Sequence, residues 1–171
     1  MNNSEILWPL RTRFIHWSLA LIVLLNGFFL EEGDPLHRYI GYGATFLVIV
    51  RLFLGFKGFG HENFRLLPLS KIELRKFCRA LLRGHHLEYE GHNPLASLIY
   101  FAIWGSILLL GITGLLMGLD AFWGNQFLEE THGWISNVLL ILVGTHLVGL
   151  IVDELAHRKN RWISMITGKK P

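Results

Sequence analysis

One apolar stretch constrains this chain more than any other. It passes through Thr131-His132-Gly133 and Thr145-His146-Leu147 and ends near Val152. It is about twenty residues long, enough to cross a bilayer as a helix at ~1.5 Å per residue. A histidine stands near each end, and the two are fourteen positions apart. That spacing is roughly 21 Å of helix axis and close to a whole number of turns, so both imidazoles leave one face at two depths. Histidine inside a membrane segment is uncommon and marks a functional site by default. The pair predicts two sites stacked across a membrane, each completed from another helix.

Three further apolar stretches, about 14–30, 36–56 and 94–119, join the one at 132–152. With 51% hydrophobic residues and a mean hydropathy of +0.39, the 171-residue chain reads as a single all-α integral membrane domain over 1–171, a four-helix transmembrane bundle. The turn at Glu31-Glu32-Gly33-Asp34-Pro35 makes the first two spans antiparallel neighbours. The first span lacks a small-residue cleavage site and is expected to stay in the chain. Cys78 is the single cysteine. It excludes an intramolecular disulfide, a Cys-x-x-Cys-His haem attachment and a four-cysteine iron–sulfur cluster.

Charge sets the orientation. Fourteen of the sixteen Lys and Arg lie in the N-terminus, the connection between the second and third spans, and the tail. The other two connections carry acidic residues. By the positive-inside rule both termini and the long connection face the cytoplasm. The net charge of +3 then reflects lipid headgroups and topology rather than nucleic acid. Within the long connection Ser70 and Glu73 form a capping-box pattern, Leu74, Phe77, Cys78 and Leu81 recur at helical spacing, and Gly84 closes the run. This predicts an amphipathic helix over about 70–83, lying on the membrane surface or packed on neighbouring loops.

With that orientation four histidines sort into two layers. His16 opens the first span and His146 lies late in the fourth, both on the cytoplasmic side; His37 opens the second span and His132 the fourth, both on the outer side. Two imidazoles per layer from different helices suit bis-histidine ligation of two haem b groups, which carry electrons with both axial positions filled. Zinc would want three or four ligands per layer. A single such histidine is more often an interfacial polar residue, and it is the matched depths that favour ligation. His61, His85, His86, His92 and His157 read as solvated or headgroup-facing, and the six tryptophans mostly as interfacial anchors. Arg38, beside His37, and Arg51, which can snorkel to the interface, are candidates to pair with haem propionates. Gly41, Gly43, Gly111, Gly114 and Gly144 give room either for a macrocycle or for close helix packing.

These residues carry a resemblance. The chain resembles the bacterial cytochrome b561 family, which includes the cytochrome b subunits of nickel–iron hydrogenases. The similarity rests on Arg13-Phe14-Ile15-His16-Trp17, on His37-Arg38-Tyr39-Ile40-Gly41-Tyr42 running to Arg51-Leu52, and on Gly91-His92-Asn93-Pro94-Leu95. It continues through Glu130-Thr131-His132-Gly133, Thr145-His146-Leu147, His157-Arg158-Lys159-Asn160 and Met165-Ile166-Thr167-Gly168. The resemblance implies two haems b, with His16 and His146 as the inner pair and His37 and His132 as the outer pair. It implies a bacterial inner-membrane protein moving electrons between the quinone pool and a partner such as a c-type cytochrome or another periplasmic or membrane redox protein. Compact relatives include superoxide oxidases that reduce ubiquinone. Two other classes compete: a haem-bearing membrane anchor for a soluble redox protein, and a haem-free ion transporter. The lack of Asp or Glu inside the spans counts against the transporter.

Overall fold

The computed structural model describes residues 6–58, 62–85, 87–89, 93–158 and 160–169. His61, His86, His92, Gly91 and Lys159 lie outside the described residues. The fold is helical: α1 (Leu10–Phe28), α2 (Pro35–Lys57), α3 (Lys71–Leu82), α4 (Pro94–Met117), α5 (Gln126–His157) and α6 (Arg161–Thr167). Short 3-10 turns lie at Phe64–Leu66 and Asp120–Phe122. The starts of the long helices follow from local chemistry. Asp34 and Asn93 cap α2 and α4 through the N–H groups of Leu36 and Ala96, at 2.7 and 2.8 Å, and each is followed by proline at the first helical position. Asn125 caps α5 through the N–H of Leu128 at 3.1 Å. Ser70 caps α3 through Glu73 N–H at 3.1 Å, and Gly84, at φ +71°, turns the chain away beyond its end.

Among the described residues three helices are long and apolar enough to cross a membrane: α2, α4 and α5. The sequence leads one to expect four, and α1 is the exception. It is 19 residues long, and Arg11, Thr12, Arg13, His16, Ser18 and Asn26 dilute its apolar content. The α5 boundaries also differ from expectation. The Asn125 cap starts the helix six residues before His132, so that histidine stands well inside α5 rather than at its beginning. Large apolar side chains cover the outside of all four long helices. Leu21 and Leu24 on α1, Phe46 and Ile49 on α2, Leu109 and Ile112 on α4, and Ile141 and Val148 on α5 are all exposed. An apolar exterior is what a bilayer requires of a helical bundle.

The interior is small. Ala44 and Val48 from α2, Trp104 and Ile107 from α4, and Leu139 from α5 form the core, with Leu19, Ile22 and Val23 of α1 against them. α5 lies along α4, α1 along α2, and α2 along α4; α5 meets α1 and α2 only sparsely. Two tryptophans depart from the interfacial reading, since Trp8 and Trp104 are buried.

The end of the bundle bearing the termini, the basic end, is closed by the segment after α2. Glu62 is wholly buried there. Its carboxylate pairs with the Arg11 guanidinium and accepts from the Thr12 hydroxyl at 3.0 Å. Arg51 corrects the snorkelling expectation. It is 3% exposed, and both terminal nitrogens donate to the Glu62 carbonyl at 3.3 Å. Its guanidinium also lies 5.3 to 5.8 Å from the ring centres of Phe64, Tyr100 and Trp104. The physical reason is that the chain folds back beneath α2 rather than leaving that end open to headgroups. α3 is tied down beside it by Tyr89, whose hydroxyl donates to Glu73 at 3.1 Å and whose ring meets Phe77. Burial, then the Glu73 carboxylate, pushes the Tyr89 phenol pKa up.

Phe64 seats this segment on Gly55 of α2, where a Cβ would collide with the phenyl ring. Gly55→Ala should therefore destabilise the protein by about 1–3 kcal/mol through overpacking. Thermal unfolding in detergent checks this: the midpoint falls in Gly55→Ala and recovers in part when Phe64→Leu is added. An unchanged midpoint in Gly55→Ala would mean that the segment is not seated there.

Candidate redox site

His132 and His146 of α5 both meet partners, and each meets the one of matching depth. The rings of His16 and His146 have centroids 6.4 Å apart. The rings of His37 and His132 have the same separation, 6.4 Å. Leu139, buried and seven residues from each α5 histidine, packs into the core between the two layers. Leu140 reaches α1, where a Cβ on Gly27 would lie 3.1 Å from Leu140 Cδ2.

The separation is informative because it is neither contact nor independence. Two imidazoles that stack or hydrogen-bond would come closer. A metal–imidazole bond is about 2.0 Å and the ring nitrogen lies about 1.1 Å from the ring centre, so a metal between two such rings holds their centres about 6.2 Å apart. Among the described residues no third His, Cys, Asp or Glu joins either pair. The donor set, two imidazoles from different helices and no third ligand, fits haem iron and does not fit tetrahedral zinc. The sparse packing of α5 against α1 and α2 fits the same group, since a macrocycle needs space between the helices that ligate it.

The surroundings differ between layers. In the layer of His37 and His132, His132 Nδ1 lies 2.7 Å from the Thr113 hydroxyl of α4. His37 Nδ1 is buried with no hydrogen-bond partner among the described residues, while the His37 carbonyl accepts from Asn26 Nδ2 at 3.1 Å. The Tyr42 hydroxyl donates to the Gly114 carbonyl at 3.3 Å and ties α2 to α4 at this depth. Gly114 itself faces His132, whose Cε1 would lie 3.6 Å from an added Cβ. The Arg38 guanidinium lies over Gly118 at the C-terminus of α4, where a Cβ would collide with it. That is a favourable place for a cation.

In the layer of His16 and His146, His16 meets Trp17 edge-on, with centroids 5.3 Å apart. Trp17 Nε1 donates to the Met165 carbonyl at 3.1 Å, and Arg13 donates to the carbonyl of Ile166. The N–H groups of Leu7 and Trp8 donate to the Gly168 carbonyl at 2.8 and 3.2 Å. The C-terminal end of α6 is thus clamped onto the start of α1, one turn from His16. This joins two motifs that are far apart in the chain, Arg13 to Trp17 and Met165 to Gly168.

The small residues divide. Gly111 packs on Thr45 and Gly41 on Asn26, so these serve helix contact, whereas a Cβ on Gly43 or Gly144 would meet nothing within 4 Å. His85 is exposed. His157 is not: its side chain is 11% exposed and its Nδ1 lies 3.0 Å from the Asp153 carbonyl and 3.2 Å from its carboxylate. Thr113, Asn26 and Glu62 were not singled out in sequence. For Thr113 the available signal was a hydroxyl inside the Gly111-Ile112-Thr113-Gly114 run of an otherwise apolar helix.

The sequence profile of prokaryotic cytochrome b561 matches residues 7–168. The chain belongs to that family. It is a membrane b-type cytochrome of electron transfer, and haem b is its cofactor. No curated protein and no solved structure matches it.

The α6 clamp generates a test. Trp17→Phe keeps the ring and removes one hydrogen bond, worth about 1 kcal/mol or roughly fivefold in local opening. Amide exchange at Leu7 and Trp8 should quicken by about that factor, with α4 unaffected. Unchanged exchange there would mean that α6 is held by other contacts.

Proposed function

We propose that this cytochrome carries two haems b in a four-helix bundle, one between His16 and His146 and one between His37 and His132, and relays single electrons across the bacterial inner membrane. The observation that carries the reading is the equal 6.4 Å separation in two pairs on one helix face. α1 serves as the fourth span: its histidine faces α5, and Leu21, Leu24 and Phe28 point outward. Haem held by these histidine pairs would supply one-electron chemistry. The chain's residues hold that iron rigidly, exclude water with Leu139 and Trp104, and keep the layers apart along α5. Arg38, at the outer rim beside His37, takes the propionate role. Arg51 has its terminal nitrogens on Glu62 and brings only Nε toward such a contact. The basic end faces the cytoplasm by the positive-inside rule. Quinol or quinone is one redox partner, and a c-type cytochrome or other periplasmic or membrane redox protein the other.

A second reading has its own observation. Arg75, Lys76, Arg79 and Arg83 are exposed on or beside α3, a surface suited to an acidic soluble protein docked on a haem-bearing anchor. Reduction of the purified chain by a quinol analogue alone, followed by rapid reoxidation, separates relay from anchor.

The ligand assignment is tested by a reduced-minus-oxidised spectrum and a pyridine haemochrome count. Wild-type protein should give two low-spin b haems per chain, and His146→Ala and His132→Ala one each. Two haems retained in both variants would overturn the assignment.

A further inference from the structure

The outer histidine of α5 is held by a helix that carries no histidine. We infer that Thr113 is a positioning residue that fixes the protonation and orientation of His132 and thereby sets the potential of the outer haem. The inference rests on the reading of His132 as a ligand.

The argument is one of counting hydrogens. The Thr113 hydroxyl is 7% exposed and has three neighbours: the Leu109 carbonyl at 2.9 Å, the Leu110 carbonyl at 3.2 Å and His132 Nδ1 at 2.7 Å. It owns one hydrogen. The carbonyls can only accept, and a buried threonine hydroxyl in a helix commonly bonds back to the carbonyl four residues earlier. With its hydrogen on Leu109, the oxygen turns a lone pair to His132. Nδ1 must then carry the proton, and Nε2 keeps its lone pair for a metal. The opposite arrangement, hydroxyl donating to Nδ1, would leave the proton on Nε2 and block ligation. Thr113 thus selects the one tautomer that can bind iron.

The same bond tunes the ligand. An acceptor on the far nitrogen raises the basicity of a ligating imidazole and fixes its plane. Greater basicity favours the oxidised iron and lowers the potential. The effect belongs to one side of one layer, since His37 Nδ1 has no partner among the described residues. Thr113 stands on α4, so the setting is transmitted by the packing of α4 on α5, the most extensive helix pair in the molecule.

The experiment is a potentiometric titration of detergent-purified wild type, Thr113→Val and Thr113→Ser, with EPR of the oxidised haems and a haem count on each. Valine keeps the shape and removes the acceptor; serine keeps the acceptor. In Thr113→Val one midpoint should rise, by about 59 mV if the loss is tenfold in the one-electron equilibrium. One low-spin EPR signal should move, and the other haem should be unchanged. Thr113→Ser should stay at the wild-type values. Loss of one haem in Thr113→Val with retention in Thr113→Ser would equally support the inference. Two unmoved midpoints and unmoved EPR signals in Thr113→Val would overturn it, provided that His132→Ala loses a haem. Retention of both haems in His132→Ala would instead overturn the ligand reading beneath it.

Discussion

Everything in this fold depends on α5 acting as a ruler. A single helix carries His132 and His146 on one face, and about four turns of backbone fix the distance between them. The ruler works only because α5 is supported from one side. It lies along α4 and stands off from α1 and α2, whose histidines it faces. If α5 packed equally on all three, no space would remain between the paired rings. The separation of support from histidine pairing follows from side-chain choice. α4 offers small and aliphatic residues for close packing and contributes no imidazole.

A bundle with gaps between its helices needs stiffening elsewhere, and the basic end provides it. Apolar side chains gain little by meeting one another when the solvent is itself a hydrocarbon, so polar contacts and close packing hold membrane helices together. Arg51, Glu62, Arg11 and Thr12 link α1 to α2 through one buried carboxylate and its carbonyl. Three aromatic rings from α4 and the loop surround the buried guanidinium. On the other flank α6 clamps the start of α1. Both devices act within a few residues of His16, so the inner layer inherits its rigidity from the loops.

The histidine pairs were legible in the sequence because two simple rules converge there. Helical periodicity fixes the face, and the charge of the loops fixes the direction of each span, so depth follows. What was not legible depends on rotation of one helix against another. Thr113 lacks a sequence neighbour that would reveal its contact with His132; the contact exists only because α4 and α5 meet at that rotation. Arg51 was misread for a related reason. Its place near a helix end suggests snorkelling, but the loop carrying Glu62 returns to bury it. His157 was different, since Asp153 stands four residues earlier on the same helix and announces the pair.

The two layers are built alike in separation and unlike in surroundings, and the difference is of a useful kind. A relay between two identical sites has no direction of its own. Here His132 is engaged by a hydroxyl, His37 presents a bare buried nitrogen, and His16 lies against an indole tied to the C-terminal helix. None of these changes the imidazoles themselves, and each changes what the ring feels. Potential differences between chemically identical bis-histidine sites arise from such outer contacts, from burial and from nearby charge. The charge also differs: Glu31, Glu32, Asp34 and Arg38 border the end near His37 and His132, and Arg11 and Arg13 stand with the buried Glu62 at the end near His16 and His146. On the proposed reading of His132 as a ligand, its bond to the Thr113 hydroxyl would favour the oxidised state of the haem at that layer alone.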